Sequence, residues 1–282
     1  MEQAAWQLGA EGDFGIRNSK FENKDLSQQE KPLELHMVVG KRFWYMAAFA
    51  LVSLKKHLSS PVRVHFYSDG TLKAEHEKAL RQLPVEAVFH GTEEIMAKVE
   101  KWLPREKYPT LRERFDNYPN IQKLISPHAA SQGAKVVLDA DVLFFGKPDE
   151  LYSWLEKPEG VLCATDITES YGYTRGLLEK LAGGSLPQRV NVGVTGLISE
   201  KIDWDHLEKW CAELHDKEGT SYYLEQALIA ILCVKNGWDQ LAKKRYITYP
   251  NEADTCARAG VMQHYVDLSK MQYFREMWRD FA

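Results

Sequence analysis

From Leu33 onward the chain alternates short apolar runs with longer segments whose apolar residues recur at helical spacing. LELHMVV (33–39) reads as a strand, KRFWYMAAFALVSLKKHL (41–58) as a helix, and PVRVHFYSDG (61–70) as a second strand closed by a turn signal. A helix near 72–82 and the strand VEAVFH (85–90) repeat the unit. Strand, helix, strand, helix predicts parallel strands joined by crossover helices, an α/β sheet whose ligands sit at strand ends. Residues 92–130 read as mostly helical and lead into the run AKVVLDADVLFF (134–145). Beyond it come a short helix at PDELYSWL, the strand GVLCATD, a glycine-bearing polar stretch at 167–189, and the strand VNVGVTGLI (190–198). Helical segments at 203–216 and 221–236, the strand GVMQHYVDL and an amphipathic tail complete the chain. No internal repeat or low-complexity segment interrupts this order.

Residues 1–32 are polar and weakly patterned and read as a tail or strap, so the folded domain is expected over 33–282. Its 44% hydrophobic and 27% charged residues are those of a globular protein. A formal charge of -4 gives no general attraction to nucleic acid or anionic membrane, so any anionic ligand needs local help. The most apolar run, residues 43–54, is too short to span a bilayer, so no transmembrane segment is expected. The opening MEQAAWQLGAEGDFG lacks the regions of a signal peptide. Cys163, Cys211, Cys233 and Cys256 show neither metal-ligand nor disulfide-scaffold spacing. The reading is a cytoplasmic protein with free thiols.

The chemistry concentrates in KVVLDADVLFF. On an extended strand, residues i and i+2 share a face, so Asp139 and Asp141 can aim two carboxylates at one point. Like charges so placed repel, and a divalent cation is the simplest relief. A strand that stops at Leu138, with the acids capping a turn, satisfies the same residues.

Three further pieces accompany the pair: SDG (68–70), RVNVGV (189–194) and QHYVDLSK (263–270). In this order the sequence resembles the GT-A glycosyltransferases, and within them the retaining family eight that includes glycogenin and the bacterial lipooligosaccharide galactosyltransferases. Its marks are a strand-borne L-D-A-D, a later N-x-G strand, an acid-glutamine pair opening a helix, and H-[FY]-x-G-x-x-K near the end. The resemblance spans about residues 33–272. It implies a GT-A α/β fold, a Rossmann-like mixed sheet flanked by helices in a single domain, and a hexosyltransferase-type activity.

Residue by residue, the resemblance implies that Asp139, Asp141 and His264 hold a divalent metal, manganese or magnesium, and that Lys270 meets the donor diphosphate. Asn191 and Gly193 match the N-x-G strand and would contact the donor, with a β-bulge as the plain alternative. Glu225 and Gln226 match the acid-glutamine pair, near the donor sugar and the anomeric carbon; an ordinary amphipathic helix start is their alternative. Lys123 and Asp166 fall where the family has sugar-contacting residues, although Asp166 also fits a cap. The implied partners are a nucleotide-sugar donor, UDP-linked before GDP-linked, and an acceptor that the sequence does not name. The stretch 167–190, with Tyr171, Tyr173 and Arg175, is the candidate wall of the acceptor pocket.

Departures are equally specific. GKRFWY (40–45) replaces the acid and tyrosine that contact the nucleoside, leaving Phe43 or Trp44 as base-stacking candidates or core. Asp267 stands where the family prefers glycine. A haloacid-dehalogenase-type phosphatase would need a later paired-aspartate motif, and a sugar nucleotidyltransferase an early glycine-rich loop; the sequence supplies neither. A non-catalytic nucleotide-sugar-binding protein of the same fold is the remaining alternative.

Overall fold

The structure, a computed structural model, describes residues 32–281. The expected tail at 1–32 lies outside the described residues except for Pro32. Strand β1 (Leu33–Val39) leads to helix α1 (Trp44–Lys55), β2 (Val62–Ser68), α2 (Ala74–Leu80) and β3 (Glu86–His90). Helices α3 (Thr92–Trp102), α4 (Pro109–Asn117) and α5 (Gln122–His128) fill the stretch read as helical. β1 pairs in parallel with β2 and with β4 (Ala134–Leu138), and β2 with β3, as the alternation predicts.

The second half departs from a purely parallel sheet. β7 (Val190–Ile198) lies antiparallel to both β4 and β6 (Val161–Thr165), and β8 (Trp238–Gln240) closes the edge, giving the order β3-β2-β1-β4-β7-β6-β8. The run 134–145 is not one strand. β4 stops at Leu138, and β5 (Val142–Phe144) joins a separate three-stranded sheet with β10 (Met262–His264) and β9 (Tyr246–Thr248). Both strands are buried on both faces, so the sequence is apolar through each and the break is masked. Helix α6 (Asp149–Glu156) follows, and α7 (Arg175–Ala182) sits inside the stretch read as loose and polar. Helices α8 (Trp204–Glu218), α9 (Leu224–Asn236), α10 (Glu252–Cys256) and α11 (Lys270–Arg275) complete the set used below.

Two apolar layers flank the large sheet. On one side α1 is buried nearly all round against β1, β4 and β5, which is why its sequence is a continuous apolar run with no polar face. On the other, α4, α5, α8 and α9 pack over β6 and β7, with Cys163, Cys211 and Cys233 among the buried residues. These layers hold the carboxyl ends of β1, β2 and β4 together, and there Gly40, Asp69 and Asp139 follow in turn. Gly40 allows the close approach of Asp69: a Cβ on it would lie 1.9 Å from that carboxylate. No described helix is long and apolar enough to cross a membrane.

Candidate active site

The D-A-D segment bridges the two sheets, and that bridge, not strand pleating, brings its carboxylates together. The Asp139 amide donates to the Gly193 carbonyl at 2.9 Å, and the Asp141 carbonyl accepts from the Tyr265 amide at 2.8 Å. Each aspartate is therefore tethered to a different sheet while its side chain points into the gap. β10 pairs with β5 so that His264 lies opposite Val142, next to Asp141. His264 Nε2 lies 3.1 Å from Asp141 Oδ1 and 3.6 Å from Asp139 Oδ2. One potential ligand atom from each of the three lies within 4.8 Å of the others.

Asn191 settles the tautomer of His264. Its amide nitrogen donates to Asp166 Oδ2 at 3.1 Å, so its Oδ1 faces the other way and accepts from the Gly193 amide at 3.0 Å. The same oxygen lies 3.0 Å from His264 Nδ1, which must then be the donor. In neutral imidazole this leaves the Nε2 lone pair aimed at the two aspartates, the arrangement a metal ligand requires. Gly193 makes room for the ring: a Cβ there would lie 2.2 Å from His264 Nδ1. Asp166, Asn191 and Gly193 thus also fix the histidine.

Two ammonium groups flank the carboxylates. Lys270 Nζ lies 2.9 Å from Asp141 Oδ2, and Lys123 Nζ lies 2.6 Å from Asp139 Oδ1 and 3.1 Å from Glu225 Oε2. Burial pushes the Asp141 carboxyl up, but the His264 ring when it carries both protons, together with the Lys270 ammonium, outweighs it and holds the group well below the usual carboxylate range. Burial likewise acts to lower Lys123 and Lys270, and both still rise, Lys123 through Asp139 and Glu225, Lys270 chiefly through Asp141. Glu225 is different: burial pushes it up to about 8, and the Lys123 contact only partly opposes this. Lys123 gives its shorter contact to Asp139, and Glu225 is left poised to carry a proton near neutral pH. Gln226, the next residue at the start of α9, donates to the Ser170 carbonyl at 2.8 Å, and its Oε1 meets no donor among the described residues.

Other sequence expectations are corrected. Tyr171 is buried with its hydroxyl on the Pro187 carbonyl, the Tyr173 hydroxyl reaches the Gly219 carbonyl, and Arg175 is tied to Glu169, Glu179 and the Leu186 carbonyl. Tyr171 is thus closed off, whereas Tyr173 and Arg175 remain part-exposed. Trp44 is core and stacks on His76, whereas half-buried Phe43 lies 5.7 Å from the Lys270 ammonium. Asp267 adopts φ 48°, the left-handed conformation the family's glycine would supply, which aspartate tolerates better than most residues. The substitution therefore keeps the His264–Lys270 turn.

Tyr118 had no signal in the sequence. Its hydroxyl donates to the Tyr222 carbonyl and lies 3.5 Å from the Glu225 amide, contacts that span 104 and 107 residues. Two sizeable clefts, about 930 and 860 Å³, lie elsewhere, one along α6 and β8 and one at the amino ends of β1 and β4. They hold none of the residues above.

No protein-family model and no curated protein matches the sequence. Solved structures do match the fold. Mouse xyloside xylosyltransferase 1 superposes at a TM-score of 0.57 with 15% identity, over 83% of this chain and 97% of that one. The galactosyltransferase LgtC, in complex with donor and acceptor sugar analogues, gives 0.57 at 12% identity, over 89% and 100%. The glycosyltransferase GlyE of Streptococcus pneumoniae TIGR4 gives 0.51 at 11%, over 89% of this chain and 62% of that one. The seven-stranded mixed sheet flanked by helices is the GT-A glycosyltransferase fold. Within it the chain is similar to family eight, the class to which its motifs pointed.

Proposed function

We propose that the protein is a metal-dependent glycosyltransferase that moves a sugar from a nucleotide-sugar donor, UDP-linked, to an acceptor hydroxyl with retention. One observation carries the reading: Asp139, Asp141 and a histidine whose Nε2 faces both converge at the carboxyl end of β4. Two carboxylate oxygens and one imidazole nitrogen suit Mn2+ or Mg2+ better than zinc, whose structural sites favour thiolates. Such a cation, when bound, neutralises charge on the departing nucleoside diphosphate.

The chain's own groups do the rest. Lys270 stands beside Asp141 with its ammonium within reach of diphosphate oxygens, and contacts of this kind strengthen as the glycosidic bond breaks. Lys123 holds Asp139 in place and keeps Glu225 within the same cluster. Gln226 is fixed through its amide nitrogen, so Oε1 is the end presented to a sugar. A glutamine-to-glutamate active-site mutant of LgtC shows that a glutamine belongs to that enzyme's site, and Gln226 is the residue proposed here for the corresponding place. Four free thiols suit a reducing compartment.

Thermal shift with a panel of nucleoside diphosphates, with and without Mn2+, tests the reading. A site filled at a hundred times its Kd adds about 2.7 kcal/mol of stability. The expected result is a shift with UDP that requires the metal; no shift with any diphosphate would defeat the proposal.

A further inference from the structure

Eight large apolar side chains are exposed among the described residues: Met96, Trp102, Ile167, Tyr222, Tyr223, Trp238, Leu268 and Met271. Five of them sit on the segments that carry the candidate site. Ile167 follows Asp166, Tyr222 and Tyr223 precede Glu225, and Leu268 and Met271 flank Lys270. These segments adjoin. Gly172 packs on Ser221 and Tyr223, and the Gln226 amide bonds to Ser170, joining the Ile167 loop to the tyrosine pair. On the other side Lys270, between Leu268 and Met271, lies 2.9 Å from Asp141, and His264, Asp139 and Lys123 carry the same cluster on to Glu225, directly after the tyrosines. Tyr118 pins the Tyr222 backbone from below.

Resting on the glycosyl-transfer reading, we infer that this rim is the acceptor subsite and that the acceptor carries its reacting hydroxyl beside an apolar alkyl or aryl group. Continuity with the donor cluster names the occupant, because a transferase must bring a hydroxyl to that cluster along the surface bordering it. The chemistry of the rim narrows the acceptor. The Tyr222 and Tyr223 rings, 5.3 Å apart and edge-to-face, can stack on a sugar or a flat aglycone alike. Leu268, Met271 and Ile167 offer a hydroxylated sugar ring no hydrogen bond, but they pack against hydrocarbon. Leu268, at 64% exposure, and Tyr222, at 72%, are large areas for a folded protein to leave uncovered beside its charged cluster.

The test compares methyl, octyl and 4-nitrophenyl glycosides of glucose, galactose and xylose as acceptors, using whichever nucleotide sugar the full chain hydrolyses with Mn2+. The inference expects kcat/KM for an octyl or aryl glycoside to exceed that of the methyl glycoside about tenfold or more, the effect of burying roughly two methylenes. An octyl preference identifies an alkyl acceptor, an aryl preference an aromatic one. Leu268→Ser with Met271→Ser should bring the ratio close to one while the melting temperature holds; if that pair fails to fold, Tyr222→Ser is read the same way. Donor hydrolysis with equal transfer to all three aglycones, or transfer to none, would overturn the inference and leave the donor reading intact. No donor turnover under any condition would overturn both.

Discussion

Gly193 to alanine is the smallest change that should disable the site. The added Cβ would lie 2.2 Å from His264 Nδ1 and 2.3 Å from Cε1, where ordinary contact begins near 3.4 Å. One side must therefore yield by 3.4 minus 2.2, or 1.2 Å. The backbone of Gly193 is poorly placed to do so, since its carbonyl accepts from Asp139 at 2.9 Å and its amide donates to Asn191 at 3.0 Å. The imidazole moves instead, and it loses the Asn191 contact that fixes its tautomer together with its aim at Asp139 and Asp141. Misplacing a reacting group by about 1 Å costs on the order of a hundredfold, or about 2.7 kcal/mol. Stability should change little, because alanine in a strand interior gains roughly 0.5–1 kcal/mol over glycine and offsets part of the clash. Calorimetry of Mn2+ with UDP should show binding weakened about a hundredfold beside a near-normal melting curve. Wild-type metal affinity in Gly193→Ala would refute the histidine's role as a ligand.

Lys123→Met should unfold more readily than wild type by about 3 kcal/mol, because it strips the counter-charge from Asp139 beside a buried Glu225; a urea titration unchanged from wild type would show the lysine to be idle. Acid should destabilise the fold through His128, which burial and the Lys135 charge push down from 6.5 to about 3. The folded state refuses the proton that the unfolded chain accepts, so the stability is whole above pH 6.5 and falls by about 2.7 kcal/mol on reaching pH 4.5. His128→Gln should flatten that slope in denaturant titrations, and an equal slope would assign the loss elsewhere. At position 267, with its φ of 48°, glycine should be tolerated whereas valine should lower stability by about 1–2 kcal/mol; equal melting temperatures for the two variants would contradict the left-handed turn.

The motifs were legible because each is a residue type whose chemistry is unusual in its setting. Two acids inside an apolar run, an amide and glycine in a strand, and a histidine six residues before a lysine all converge in space. The aspartates converge without the strand pleating that sequence alone suggests, and β4 stops at Leu138 as the alternative reading has it. An extended strand was expected to carry both carboxylates, but β4 ends at Leu138 and the pair spans two sheets. Apolar composition reports burial and not continuity, so a break between two buried strands leaves no trace in the pattern. β8 and β9, three residues each, are too short for any period to show. Within the stretch 167–190 the inward turn of Tyr171 depends on the Pro187 carbonyl that accepts from its hydroxyl, which residue type alone does not disclose. Tyr222 and Leu268 are isolated apolar residues in the sequence, and only the fold shows them exposed.

The central claim is that Asp139, Asp141 and His264 together hold a divalent cation on which donor turnover depends. The most direct measurement is release of nucleoside diphosphate from UDP-sugars by the full chain, with Mn2+ or with EDTA, beside Asp139→Asn and Asp141→Asn. Asparagine keeps shape and removes charge, so both variants should melt as folded proteins. The account predicts turnover that EDTA abolishes and that falls by about a hundredfold or more in each variant, the order of losing a preorganised charge contact. Turnover that persists in EDTA, or in either asparagine variant at the wild-type rate, would contradict it.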